Sequence, residues 1–179
     1  MNTILINVTG FFRDPDAWKA LAQDVIPALV AEAGESRSLR IWSAGCSSGE
    51  EPYSIAMLIA EHLGDPPADF NVRIYATDVD EEALQAGRHG LYRAEDLKDV
   101  PTPLLEKYFA REGQTFRFRR DIRRWCIFGK HNIVQDPPLS HIDMVVCRNV
   151  LIYFTSDLQA GHRRLSSRTG TTSNPLRLR

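Results

Sequence analysis

Two kinds of residue in this sequence stand where open α/β proteins hold a polar cofactor: glycines leading into a helix, and acidic residues at the ends of β-rich runs. Gly45-Cys46-Ser47-Ser48-Gly49 directly follows the short β-rich run Ser38–Ala44. It precedes Glu50–Leu63, where Ile55, Leu58, Ile59 and Leu63 recur at helical spacing. A strand that delivers glycines into a helix N-terminus brings backbone close to a ligand and aims free N–H groups at it. The spacing Gly45-x-x-x-Gly49 lacks the GxGxxG of dinucleotide sites, and no Gly-Lys-Ser/Thr follows, so a phosphate-cradling loop is disfavoured. A tight strand-to-helix turn that binds nothing has the same appearance. Asp78, just beyond the β-rich run Asn71–Ala76, shifts the balance, because a carboxylate in that place meets a ribose and accepts from its hydroxyls. Its competing use is as a helix cap. Asp80 is the better-placed cap for Glu81 onward, which leaves Asp78 for a ligand. Arg148-Asn149, directly after the apolar run Ile142–Cys147, belongs at the same carboxyl edge.

The elements that must position these residues follow from periodicity. Asp14-Pro15 and then Trp18, Leu21, Val25, Ile26, Leu29 and Val30 predict one helix with an acidic cap, ended by Gly34 and Ser36. Ser38–Ala44, Glu50–Leu63, Asn71–Ala76 and Glu81–Arg88 read as strand, helix, strand, helix. That order predicts a parallel sheet with neighbouring strands joined by right-handed crossovers. Thr115–Arg120 and Trp125–Phe128 alternate as an antiparallel hairpin would, an Arg-rich helix being the other pattern the segment admits. Ile142–Cys147 reads as a buried strand, and Val150–Phe154 as the start of a helix. From Gly161 to Pro175 the chain is polar, basic and aperiodic, which predicts a disordered tail.

Composition narrows the classes. The 179 residues, 43% hydrophobic and 25% charged, suit one core. With 22 basic against 23 acidic side chains the net charge is −1, so no global field draws the chain to nucleic acid or an anionic membrane. Cys46, Cys126 and Cys147 are far apart and form no CxxC pair, which suggests neither a disulfide framework nor a zinc site and fits a reducing cytoplasm. No apolar run approaches the roughly 20 residues of a membrane span, and the first residues lack the pattern of a signal peptide. A cytoplasmic monomer without membrane insertion is expected. Arg117, Arg119, Arg120, Arg123 and Arg124, interleaved with Phe116, Phe118 and Trp125, resemble a stacking surface for nucleic acid. The balanced overall charge argues against that use, and docking on an acidic protein or a plain solvated face are the other readings.

Four blocks in order, Asn7–Asp14, Arg40–Met57, Ala76–Asp80 and Cys147–Phe154, resemble those of the CheR family. The resemblance covers roughly residues 3 to 159 and implies a Rossmann-like methyltransferase sheet with a small antiparallel β-subdomain, for which 115–131 is the candidate. It implies S-adenosylmethionine as cofactor, glutamate side chains of chemoreceptor cytoplasmic domains as substrate, and those receptors as partners in chemotaxis adaptation. By matching position it assigns cofactor contacts to Asn7, Thr9, Arg13, Glu51, Asp78, Asn132, Ile133, Arg148 and Asn149, with Arg13 and Tyr153 as the catalytic pair. Residue types agree: a bound donor needs anions for its amino group and ribose, a cation for its carboxylate and hydrogen-bond partners for adenine. Blander uses stand beside these. Arg13 would serve as a surface ion pair beside Asp14, Tyr153 as core between Ile152 and Phe154, and His131 as a packing residue.

The sequence departs from the family at both ends. Members begin with a small helical domain, whereas this chain starts almost at the Asn-x-Thr block. After Tyr153-Phe154 members continue through a helix and strands that complete the sheet, while here 160–179 reads as a tail foreign to the family. A shifted frame or truncation near Ala160 is the expectation, with an incomplete sheet whose inner edge is exposed. On that ground a catalytically weak or inactive remnant that binds cofactor or receptor is the alternative to an active enzyme.

Overall fold

A computed structural model describes residues 9–64, 70–147 and 176–177. Strand β1 (Ser38–Ala44) is the axis of the larger sheet. Leu39 and Ile41 are buried on one of its faces and Trp42 and Ala44 on the other, so a strand covered on both sides reads as a continuous apolar run. It pairs in parallel with β2 (Asn71–Asp78) on one side and with β7 (Met144–Val146) on the other. Beyond β2 lies β6 (Cys126–Lys130), also parallel. The order is β6-β2-β1-β7-β8, with β8 (Leu176–Arg177) antiparallel at the end.

Helix α3 (Glu50–Leu63) covers the face of Ile41. Its Tyr53, Ile55, Met57 and Ile59 are fully buried, each such side chain adding about 1.5–3 kcal/mol over an exposed one. Helix α4 (Glu81–His89) is capped by Asp80, whose Oδ1 accepts from the backbone N–H groups of Glu82 and Ala83 at 3.0 and 3.1 Å. Gly90 closes it in the left-handed region.

The first helical segment departs from a single helix. It runs as α1 (Pro15–Ala20), a π-helical turn over Leu21–Val25, and α2 (Ile26–Ala33). Pro27 supplies no N–H, and the wider turn absorbs the missing bond: the N–H of Ile26 reaches back to the carbonyl of Leu21. Asp14 starts α1 with its carbonyl, which accepts from Ala17 and Trp18, and not with a side-chain cap.

The hairpin expected between 115 and 128 is corrected. β5 (Thr115–Phe118) pairs antiparallel with β4 (Phe109–Glu112) and with β3 (Leu91–Arg93), forming a separate three-stranded sheet. A one-turn helix α6 (Arg120–Arg123) then carries the chain over to β6 in the parallel sheet. The 115–131 candidate thus gives the antiparallel sheet one strand, β5, the other two lying upstream, and its second half belongs to the parallel sheet. Aromatic contacts fasten the antiparallel sheet to α3 and to the segment before α1: Phe118 stacks on Tyr53 of α3 at 4.3 Å, and Phe11 meets Tyr92 edge-on at 4.9 Å and Phe109 at 5.6 Å. α5 (Thr102–Tyr108) leads into β4.

Of the segment 160–179, Leu176–Arg177 are described. Leu176–Arg177 pairs with Val145 and Met144, so β7 is not the outermost strand among the described residues. Its open backbone groups are what a further strand satisfies. The helix start expected at Val150–Phe154 lies outside the described residues.

Candidate functional site

Register decides which side chains meet. Ser43 lies level with Ala76 of β2 and Val146 of β7, and Asp78 level with Lys130 of β6. Parallel strands in this register end at one edge, which collects the Gly45–Gly49 loop, Asp78, the residues after Lys130 and Cys147. Backbone bonds tie the edge together. The N–H groups of Gly45 and Cys46 donate to the carbonyl of Thr77 at 2.7 and 3.0 Å, and that of His131 to the carbonyl of Asp78 at 3.0 Å.

The loop needs its glycine at 49. Gly49 has φ of 96°, and a Cβ there would stand 3.1 Å from the Phe128 ring, 3.1 Å from the Tyr92 hydroxyl and 3.2 Å from Cα of Gly87. The turn thus packs directly on α4, β6 and the antiparallel sheet, which holds the N-terminus of α3 against the edge.

Carboxylates dominate the edge. Ser43 Oγ donates to Glu51 Oε1 at 2.6 Å. Burial, with Asp78 and Glu51 as further causes, pushes the Cys46 thiol far up. Burial followed by Glu51 pushes Cys147 up to about 12. Glu51 therefore acts on thiols at the ends of both β1 and β7, and Asp78 shares the first of them. Asp78 has a second duty that the sequence concealed. Its Oδ2 accepts from the N–H of Ser47 at 2.8 Å, and its Oδ1 from those of Val79 and Asp80 at 2.7 and 3.0 Å. Asp80 does cap α4, but Asp78 is not left wholly to a ligand: three of its roughly four acceptor positions are used, and one on Oδ2 remains.

Beyond β6, Asn132 organises its own loop, its Oδ1 accepting from Val134 and Gln135 at 3.0 and 3.3 Å. Its amide N–H groups point to no acceptor among the described residues. Ile133 packs on the cluster of Trp42, Ala44 and Ile142. His131 also packs, edge-on to Trp42 at 5.3 Å, with Nε2 at 3.1 Å from the carbonyl of Pro137. Its Nδ1 is buried without a partner among the described residues.

Thr9 reaches the start of α3 from the other side, its Oγ1 donating to Glu50 Oε2 at 3.2 Å, and the N–H of Phe12 donates to Ser54 Oγ at 3.3 Å. These contacts lay residues 9–12 along the first turns of α3 and bring the exposed Arg13 to the next position. Glu50 was not among the expected site residues. It is buried, accepts from Ser48 Oγ as well as from Thr9, and has its pKa raised, chiefly by burial. The paired acidic residues at the start of α3 were the available signal. Asn7, Arg148, Asn149 and Tyr153 lie outside the described residues.

An open, mainly parallel sheet with crossover helices, whose strand ends gather two carboxylates and the amide of Asn132, is an α/β domain with a polar edge of the kind that receives a polar cofactor. A family model described as CheR methyltransferase, SAM binding domain, matches residues 7–165. The chain belongs to that family, the match running past the expected boundary at 159, and S-adenosylmethionine is the cofactor of the domain. The chemotaxis protein methyltransferase of Listeria monocytogenes is 36% identical over 157 residues, covering 88% of this chain and 58% of that protein. The chemotaxis protein methyltransferase of Escherichia coli K12 is 36% identical over 166 residues, covering 89% and 54%. An uncharacterized 104.1 kDa protein of Rhodobacter capsulatus is 40% identical over 156 residues, covering 87% of this chain and 16% of that protein. The chain thus spans less than two thirds of the length of these relatives.

Proposed function

We propose that the chain transfers a methyl group from S-adenosylmethionine to glutamate side chains of chemoreceptor cytoplasmic domains. The supporting observation is the common strand edge at which Glu51 and Asp78 stand together, with Asn132 a few residues beyond β6. Glu51, held by Ser43, suits the donor's amino group. The remaining acceptor position of Asp78 suits one ribose hydroxyl, and the amide of Asn132 with the apolar flank of Ile133 suits adenine. Thr9, placed by Glu50, and Asn7, Arg148 and Asn149 complete the proposed set.

The bound cofactor supplies a methyl group on a sulfonium, already electrophilic. A cationic donor and an anionic acceptor give neutral products, so the protein's task is alignment and exclusion of water more than stabilisation of new charge. No strong base is needed, because a glutamate with a reference pKa of about 4.3 is ionised at neutral pH. In this reading Arg13 steers the substrate carboxylate and Tyr153 holds it by a hydroxyl hydrogen bond.

Incubation with tritiated-methyl donor and receptor membranes tests the proposal. Label that base treatment releases as methanol is the expected product. Donor binding by calorimetry with no base-labile label in the receptor would contradict the activity while leaving the cofactor site intact.

A further inference from the structure

Away from the strand edge the structure forms a concavity of about 410 Å³, lined by Arg88, Arg120, Arg123, Arg124, Cys126 and Phe128. Its cations come from three places in the chain: the last turn of α4, α6, and the link from α6 to β6. Only part of this charge is answered. Arg88 pairs with Glu81 at 2.7 Å and donates to the carbonyl of Phe128, and Arg123 donates to the carbonyl of His89 at 2.7 Å. The neighbouring carboxylate, Asp121, is taken by Arg119 through two bonds of 2.8 and 2.9 Å. Arg120 and Arg124 are exposed, and their side chains make no hydrogen bond or ion pair with a described residue.

We propose that this pocket binds a small phosphorylated molecule carrying adjacent phosphoryl groups. Planar guanidinium forks match phosphoryl oxygens two at a time, and every cation of the lining is arginine, with no lysine. Like charges brought together in a concave site raise the local positive potential although the chain as a whole carries −1. The volume lies in the range of small-ligand pockets and exceeds what one phosphate fills, and the ring of Phe128 adds an apolar wall. The concave shape favours a compact ligand over a nucleic-acid strand, which tracks an extended groove. The site is separate from the methyl-transfer reading and does not rest on it.

Calorimetric titration of the chain with inorganic pyrophosphate at physiological ionic strength tests the site. Saturable binding is expected, weakened at least about tenfold in R120A/R124A by the loss of two charged hydrogen-bonding groups. Both positions are exposed, so the double variant should fold, and its unchanged affinity for S-adenosylmethionine would show that it does. No pyrophosphate binding by the unaltered chain, or equal binding by the double variant, would overturn the proposal. Tighter binding of a single-stranded oligonucleotide than of pyrophosphate would overturn it in favour of a nucleic-acid surface.

Discussion

Asp78 carries two loads, one structural and one proposed for the cofactor, and the two separate experimentally. Asp78→Ala removes the acceptor for three backbone N–H groups, which should lower stability by about 1–3 kcal/mol in denaturant titration. It should also weaken S-adenosylmethionine binding at least about tenfold. Unchanged affinity in a destabilised variant would leave Asp78 as loop architecture alone. Glu50 gives a pH signature. Burial raises its folded pKa above the unfolded value, so the folded state binds the extra proton. Stability should therefore fall as pH rises from the ordinary glutamate value through the raised one, and flatten above it. Glu50→Gln, which keeps acceptor oxygen for Ser48 and Thr9, should remove that slope; an unaltered slope in urea titrations across acidic pH would assign it to other groups. The duty of Asp78 toward the loop was not legible in the sequence, because a carboxylate after a strand looks the same whether it waits for a ribose or binds Ser47.

Element by element, legibility followed the strength of the local signal. Ser38–Ala44 and Glu50–Leu63 have the predicted bounds, since a two-sided buried strand and an apolar helical stripe each leave a distinct period. The segment after Thr115 misled for a physical reason. Alternation identifies a half-buried strand but not its partner, and β6, with Ile127 43% exposed and Phe128 turned against Gly87, alternates as an antiparallel edge does. Its true neighbour, β2, is more than 40 residues upstream in the register, whereas β4 and β3 were too short to announce themselves. The turn into α3 was recognised as glycine-bearing, but the need at Gly49 is for packing as well as for conformation. Gly49→Ala should cost about 1–3 kcal/mol from positive φ and crowding against Phe128 and Tyr92 together. A melting temperature equal to that of the unaltered chain would refute that close packing.

For the whole molecule, the sheet order brings distant sequence blocks together: β6, β2, β1 and β7 end at one edge, where Glu51, Asp78 and Asn132 of the proposed cofactor set are gathered. Among the described residues no helix is long and apolar enough to cross a membrane. The arginine pocket and the proposed cofactor edge sit at different parts of β6. Cys126 and Phe128 line the arginine pocket, while Lys130 ends the strand level with Asp78. Binding at one is therefore expected to be measurable independently of the other. The central claim, a cofactor crevice at the common edge, is tested most directly by a crystal structure of the chain with S-adenosylhomocysteine. The ligand should lie across the ends of β1 and β2, with its amino group near Glu51, a ribose hydroxyl on Asp78 and adenine beside Asn132 and Ile133. A ligand bound elsewhere on the fold, with that edge left to solvent, would contradict the account.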